Sequence, residues 1–192
     1  METSVSLLGR FAGAPTDDDW RRLDALYRPL LRNWMARAGV QASDIDDQVQ
    51  EVLFVVFREV AGFEWRGQGA FRAWLGKILA NRVRDYFRGK KYLPTATGDS
   101  DFLRQLDELE SPGSALSKLW DREHDEHVAA ALMQRAQGDF APATWQAFQR
   151  HVLEGETAVR VAEELGLSLN SVLLAKSRVL RRLRQEAAGL IE

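Results

Sequence analysis

Residues 71–91, FRAWLGKILANRVRDYFRGKK, indicate the fold class of this chain. The large apolar residues of this stretch recur every three or four positions, which is the period of one buried face on an α-helix. They are Phe71, Leu75, Ile78, Leu79, Val83 and Tyr86. Polar residues recur with the same period on the opposite side, at Lys77, Asn81, Arg84 and Arg88. The stretch therefore predicts a helix over about 70–88 with one face in a core and a basic face outside.

Two helices are predicted before this one. The first begins after Thr16, an N-cap residue followed by three aspartates, and ends at Gly39. Pro29 lies inside its apolar pattern, so we expect the helix to kink or split there. The second begins at Ser43 or Asp44. Its expected buried stripe is Ile45, Val49, Val52, Leu53, Val56, Phe57 and Val60.

These helices are expected to form one domain. The glycine-rich GFEWRGQG at 62–69 predicts a loop before the third helix. Three amphipathic helices can bury a common core, so we predict a compact bundle over 16–92, preceded by an N-terminal tail at 1–15. Its aromatic Trp65 has two interpretations: a stacking residue for bases or a hydrophobic lid on the bundle.

The C-terminal part contains VAEELGLSLNSVLLAKSRVLRRLR, residues 161–184. It predicts a short helix, a turn at Gly166 and a second helix capped by Ser168. The inner arc of the second helix is Val172, Ala175, Val179 and Leu183, and the outer arc is Asn170, Leu174, Ser177, Arg178, Arg181 and Gln185. This is a helix-turn-helix pattern, although generic helical hairpins share it.

An acidic segment separates the two parts. Residues 98–127 carry nine acids against three bases, and we predict a linker over 93–124 with at most short helices. No useful stretch alternates apolar and polar residues with period two. The expected fold class is all-α, with two small helical domains, 16–92 and 125–192, joined by an acidic linker.

Composition and motifs exclude several classes of function. The chain has no cysteine, which rules out disulfides and thiolate metal sites. No apolar run approaches ~20 residues and no signal peptide is recognisable, so we expect a cytoplasmic protein without membrane insertion. EHDEH at 123–127 is a weak metal pattern. No catalytic arrangement and no phosphate-binding loop is found, so no enzyme, cofactor or metal is predicted.

Three stretches together resemble a known family. DIDDQVQEVLFVVFREV (44–60) and the 71–91 stretch resemble the core-binding and promoter-melting helices of sigma-70-type RNA polymerase sigma factors. The closest likeness is to the small extracytoplasmic-function (ECF) group. VAEELGLS and the later SR and LRRL resemble its second domain. The matching positions of the first two stretches are Asp44, Asp47, Val49, Gln50, Glu51 and Val52, then Phe71 to Leu75, then Asn81, Arg84, Asp85, Tyr86 and Arg88.

The resemblance implies a protein that binds core RNA polymerase and directs it to promoter DNA. It implies core-polymerase contacts at Asp47, Gln50 and Glu51. It implies contacts with the −10 element at Trp65, Lys77, Asn81, Arg82, Arg84, Arg88, Lys90 and Lys91. It implies contacts with the −35 element at Ser168, Asn170, Ser171, Leu174, Ser177, Arg178, Arg181 and Arg182. An anti-sigma factor or another regulator is a further expected partner.

The sequence departs from the usual family wording at several positions. Gln48 and Val55 replace residues of the docking helix, and Leu173, Leu174 and Ala175 replace a basic and polar trio in the last helix. Two alternatives therefore stay open. One is a helix-turn-helix regulator that never joins the polymerase. The other is a polymerase-binding or anti-sigma-binding protein that no longer reads promoters.

Overall fold

A computed structural model describes residues 7–11, 15–64, 69–90, 106–111, 113–188 and 190–191. These residues form eight α-helices and, within the same ranges, no β-strand, which confirms the all-α fold class. The helices are α1 (Leu7–Phe11), α2 (Asp17–Arg37), α3 (Ile45–Glu59), α4 (Ala70–Lys90), α5 (Ala115–Gln137), α6 (Pro142–Phe148), α7 (Ala158–Leu165) and α8 (Leu169–Ala187). Short 3₁₀ segments cover Val60–Gly62 and Leu106–Glu110, and a π-helical turn covers Gln149–Leu153. Among the described helices none is long and apolar enough to cross a membrane.

Helix α2 begins at the expected cap. The Asp19 amide donates to Thr16 Oγ1 at 3.3 Å, and the Thr16 amide donates to Asp19 Oδ2 at 3.0 Å, which satisfies two free donors. Burial raises the pKa of Asp19, but hydrogen bonds from Thr16 and Arg10 outweigh burial and hold that pKa below its ordinary value. A left-handed Gly39, with φ 81°, follows the helix end as predicted.

Helix α2 continues through Pro29 to Arg37 and is not split there. Tyr27 and Leu31, on either side of the proline, are both fully buried. Proline removes one backbone hydrogen bond, and the burial of side chains before and after it outweighs that loss.

Helices α2, α3 and α4 bury a common core. Every residue of the predicted inner arc of α4 is buried. One residue of the predicted buried face of α3 departs from the prediction, because Phe57 is 53% exposed. It follows Val56, which points into the core, so a rotation of about 100° per residue carries Phe57 off the buried face. Its ring instead lies 4.4 Å from that of Trp20.

The segment predicted as an N-terminal tail contains α1. Leu8 and Phe11 are buried in the core of the bundle, and the Phe11 ring lies 4.4 Å from Trp20. The predicted tail therefore contains a short helix at Leu7–Phe11, because two large apolar side chains one turn apart give this segment a face to bury.

The expectation of at most short helices before residue 125 is also wrong. Helix α5 starts at Ala115, capped by Ser114, whose side chain accepts from the Ser117 amide at 3.0 Å. The predicted boundary between linker and second domain, at 124/125, therefore falls inside one continuous helix. Its buried residues recur every four positions: Leu116, Trp120, His124, Val128, Leu132 and Ala136.

The C-terminal helices pack around two small clusters. One cluster joins α7 to the start of α8 through Val161, Ala162, Val172 and Ala175. The other places Val179 of α8 against α5 and α6. The α7–α8 turn forms as predicted, because Gly166 has φ 64° and Ser168 caps α8 by accepting from the Ser171 amide at 3.1 Å.

Candidate nucleic-acid and protein interfaces

The outer face of α3 carries the three predicted core-polymerase contacts. Asp47, Gln50 and Glu51 are all exposed, and their spacing of three and one places them on one side of the helix. Phe54 continues the same side and is 56% exposed. We call these four residues the α3 stripe. Phe54 was not predicted as a contact, although its position seven residues after Asp47 places it on the polar side of α3.

A groove of about 410 Å³ between α3 and α4 brings together three predicted −10 contacts. These are Lys77, Asn81 and Arg82. Val55 and Trp74 also line this α3–α4 groove, so it combines an apolar wall with basic and polar groups.

Two of the predicted −10 arginines are bound within the protein. Arg82 donates from Nε to Gln48 Oε1 at 2.9 Å. Arg84 donates from Nη1 to Asn81 Oδ1 at 2.7 Å and from Nη2 to the Leu106 carbonyl at 3.2 Å. Both side chains are half-buried, so α4 does not present its bases as a uniform free row. Gln48 is thus the residue that orients Arg82.

The structure describes the remaining predicted −10 residues to different extents. Lys77 is exposed, and the Arg88 side chain is 77% exposed, with Nη1 3.5 Å from Asp85 Oδ1. Trp65 and Lys91 lie outside the described residues, and only the backbone of Lys90 is described, at the end of α4.

An aromatic residue beside this surface was not predicted as a contact. Trp74 is half-buried, and its ring lies 4.7 Å from that of Phe63. Its place one turn before Lys77 on α4 was the available signal, because residues three apart share a helix face.

Most of the predicted −35 contacts are exposed on α8. These are Ser168, Asn170, Ser171, Leu174, Ser177, Arg178 and Arg181. In the part of the chain described, neither Arg178 nor Arg181 forms an ion pair. Arg182 is different, because it is half-buried and lies 3.0 Å from a carboxylate oxygen of both Asp139 and Glu186. Its predicted DNA contact would compete with these two acids.

Leu173 and Leu174 occupy different settings. Leu174 is 42% exposed and, with Ser171 and Arg178, lines a groove of about 300 Å³ between α6 and α8. Leu173 is 44% exposed and lies one turn after Leu169, which is 46% exposed. Thus only Leu174 belongs to the same surface as the arginines.

The paired histidines of α5 contact α2. His124 Nε2 lies 3.2 Å from the Tyr27 hydroxyl, and Nδ1 lies 3.0 Å from Asp125 Oδ1. Burial lowers the pKa of His124 to about 4, despite the favourable Asp125 carboxylate, and burial also raises the pKa of Tyr27. His127 Nε2 donates to the Leu26 carbonyl at 2.6 Å. Within the described ranges no group of three or more potential ligands is placed to hold a metal ion.

A comparison with known protein families finds a match to the first half of the chain. Residues 23–92 match the family model described as sigma-70 region 2, a span that covers most of α2 and all of α3 and α4. No curated protein matches the chain. Sigma factors are regulatory proteins rather than enzymes. Residues 23–92 are therefore similar to region 2 of the sigma-70 family, a region whose role is RNA polymerase binding and promoter melting.

Proposed function

We propose that this chain is an ECF-type sigma factor that joins core RNA polymerase and directs it to promoters with −10 and −35 elements. The observation that carries the proposal is the combination of a region 2 match with an exposed arginine arc on a separate helix, α8. A plain DNA-binding regulator needs α8 but has no use for the α3 stripe. Because RNA polymerase works in the cytoplasm, we place the protein there.

The α3 stripe is the surface proposed to dock on core polymerase. Asp47 and Glu51 are exposed and, in the described part of the molecule, make no ion pair, so they remain available to basic groups of a partner. Opposite charges across an interface steer encounter and set orientation. Phe54 supplies apolar area in the same stripe, and buried aromatic residues contribute much of the energy of protein interfaces.

The α3–α4 groove is proposed to receive the −10 element. Lys77 and Arg88 are exposed for phosphate contacts, with Lys90 and Lys91 extending the charge along the chain. Asn81 and Arg82 present hydrogen-bonding groups beside Trp74. Unstacked bases bind well to such a surface, because aromatic faces stack with any base and polar groups read its edge. Arg84 would join this contact by exchanging the Leu106 carbonyl for phosphate.

Helix α8 is proposed to read the −35 element. In helix-turn-helix proteins the N-terminal part of the second helix enters the major groove. Asn170, Ser171 and Ser177 suit base edges or phosphate, and Arg178 and Arg181 suit phosphate or guanine. Leu174 is placed to contact a thymine methyl group. Ser168 serves first as the helix cap, and Arg182 contributes less because Asp139 and Glu186 hold it.

Run-off transcription with purified core polymerase tests this function. We expect a promoter-dependent transcript from genomic templates and co-elution of the protein with core enzyme. Glu51→Lys should abolish both, because it reverses a charge in the α3 stripe. Glu126→Lys, the same change at an exposed position of α5 outside both proposed binding surfaces, is the matched control and should retain both. Absence of transcript and of co-elution for the unaltered protein would refute the sigma function.

Two other functions have some support. A regulator that acts without joining polymerase would rely on α8 alone and would bind duplex DNA strongly in the absence of core enzyme. A polymerase-binding or anti-sigma-binding protein that no longer reads promoters is favoured by Leu169 and Leu173, an exposed apolar pair that suits a protein surface. An anti-sigma factor or another regulator also remains part of our proposal as a partner.

A further inference from the structure

A groove of about 280 Å³ lies between α2, α5 and the end of α8, outside the surfaces proposed for polymerase and DNA. We call it the α2–α5 groove. Four apolar residues line it: Ala25 and Leu26 of α2, and Ala131 and Leu132 of α5. Its volume is close to the lower end of the range of about 300–1,000 Å³ that is usual for small-molecule sites. The groove therefore has the size and the apolar lining of a site for a small ligand.

Three arginines complete the lining, and the direction of the two helices brings them to one end. The ring centroids of Trp34 and Trp120 lie 5.1 Å apart, and His127 Nε2 lies 2.6 Å from the Leu26 carbonyl oxygen. Residue numbers thus rise along α5 as they fall along α2, so the two helices are antiparallel. The three lining arginines come before Leu26 on α2 and after His127 on α5, and they are Arg21, Arg22 and Arg135.

Two of these arginines make no ion pair in the described part of the chain. Arg22 Nε lies 2.7 Å from Asp18 Oδ2, so its charge is already balanced. Arg21 and Arg135 are both exposed, and no carboxylate among the described residues pairs with either. Two guanidinium groups beside an apolar surface are therefore available to an anion.

The acid of the groove is already paired. Glu186 is 7% exposed, and its Oε1 lies 3.0 Å from Arg182 Nη1. Because Arg182 balances this carboxylate, Glu186 does not cancel the charges of Arg21 and Arg135. The groove thus combines an apolar lining with cationic groups that lack a partner within it.

We propose that the α2–α5 groove binds a small amphipathic carboxylate, with its hydrocarbon part on Leu26 and Leu132 and its carboxylate at Arg21 and Arg135. A guanidinium donates two parallel hydrogen bonds to a carboxylate, which makes arginine well suited to this head group. Burial of the hydrocarbon part removes apolar surface from water. This ligand site goes beyond the proposed sigma function and does not depend on it.

Other occupants use only part of the groove. An inorganic phosphate or a DNA phosphate would pair with the arginines but would leave the apolar residues uncovered. An uncharged hydrocarbon would cover the apolar residues but would leave both arginines without an anion. Eight residues line the groove, whereas a stable protein partner covers about 20–30 residues. A small molecule that carries both chemical groups is therefore the occupant that fits.

Isothermal titration calorimetry of the full chain with decanoate tests this site, at concentrations below those at which decanoate forms micelles. We expect one decanoate to bind each chain. Acetate, which is the head group alone, should show no binding at the same concentrations. The alcohol 1-octanol, which has a chain but no charge, should bind at least about tenfold more weakly, because it loses the charge-assisted hydrogen bonds.

Two variants locate the ligand, each with a matched control. Arg135→Gln removes one of the two unpaired charges, and Arg122→Gln makes the same change at another exposed position of α5. Ala25→Trp fills the groove, and Ala36→Trp places the same side chain at another exposed position of α2. We expect Arg135→Gln to weaken decanoate binding about tenfold and Ala25→Trp to abolish it. Both controls should bind decanoate as the unaltered protein does, and circular dichroism should show the same helical content in all forms.

Four results would overturn the proposal. One is the absence of decanoate binding, and another is the uptake of several decanoate molecules by each chain, as a surfactant would show. A third is equal affinity in Arg135→Gln and Arg122→Gln, which would mean that the arginines do not hold the head group. The fourth is equal affinity in Ala25→Trp and Ala36→Trp, which would place the ligand outside the groove. Polymerase takes no part in these measurements, so their outcome is independent of the transcription experiment that tests the sigma function.

Discussion

The two halves of the molecule bury very different cores. The bundle built from α2, α3 and α4 encloses Trp34, Tyr27, Phe71 and many aliphatic side chains in one continuous cluster. The C-terminal helices divide their interior between a cluster of five buried residues and one of four. A small unit with so little apolar burial gains stability from a neighbour. Helix α5 and Leu190, which is buried in the first core, supply that neighbour.

The two halves also differ in whether the arginines of their basic surfaces are held by other groups of the protein. In the first half, Arg82 and Arg84 donate hydrogen bonds to groups of the protein itself. In the second half, Arg178 and Arg181 are exposed and, among the described residues, make no ion pair. The half with the larger core therefore holds its arginines in place, whereas the half with the smaller cores leaves two of them exposed to solvent. Four predictions test this contrast between the halves.

Truncation of the cores should affect the halves unequally. Leu79→Ala removes a side chain that is 1% exposed in the first core, and we expect it to lower the free energy of unfolding by about 2–5 kcal/mol. Val172→Ala in the second half should cost less, about 1–3 kcal/mol, because fewer atoms are removed. Urea unfolding followed by circular dichroism measures both. Equal losses would mean that the second core is packed more tightly for each atom removed than the first, and would contradict the contrast.

The junction between the halves should weaken in acid. The unfolded pKa of His124 is near 6.5 and burial lowers the folded pKa to about 4, so the unfolded chain binds more protons between these values. Stability is therefore complete above about pH 6.5 and is lost as the pH falls towards 4, by at most about 3 kcal/mol. His124→Gln should reduce this part of the pH dependence in urea unfolding curves. An unchanged pH profile would show that the junction does not depend on a neutral His124.

The exposed arginines of α8 should dominate −35 binding. Arg178→Ala with Arg181→Ala removes two phosphate-neutralising charges, so we expect the salt dependence of binding to a −35 duplex to fall by about two units of slope. Affinity should fall by about tenfold or more. Arg184→Ala, at another exposed position of α8, is the control. Equal losses in the control would mean that α8 binds through net charge alone.

Arg84 of α4, which donates a hydrogen bond within the protein, should matter less for promoter opening than the exposed Lys77 of the same helix. Lys77→Ala should reduce open complex formation by about fivefold, because it removes an exposed phosphate contact. Arg84→Ala should reduce it by about twofold at most, because Arg84 must first leave the Leu106 carbonyl. Permanganate reactivity of unpaired thymines measures both. The reverse order would mean that Arg84 leaves Leu106 readily and contacts DNA in the open complex.

Much of the structure of the first half could be predicted because it depends on residues that are close together in the sequence. The inner arc of α4, the Thr16 cap and the left-handed Gly39 each depend on residues within a few turns of one another. The exposure of Asp47, Gln50 and Glu51 follows from the same helical period. No comparable local rule predicts which group a long charged side chain will contact. That Arg84 reaches Leu106 depends on where a distant segment lies.

Helices α2, α3, α4, α7 and α8, their caps and their apolar faces could be predicted from the sequence, because they follow from periodicity and from backbone hydrogen bonding. The position of α1 and the course of α5 depend on tertiary contacts. The apolar residues of α5 at every fourth position were present in the sequence, but the acids between them resembled a solvated linker. Arg72 turns two of those acids, Asp121 and Asp125, into partners of a buried charge. Whether such a carboxylate is only solvated or is paired with a buried charge depends on the cation that meets it, and that cation comes from another helix.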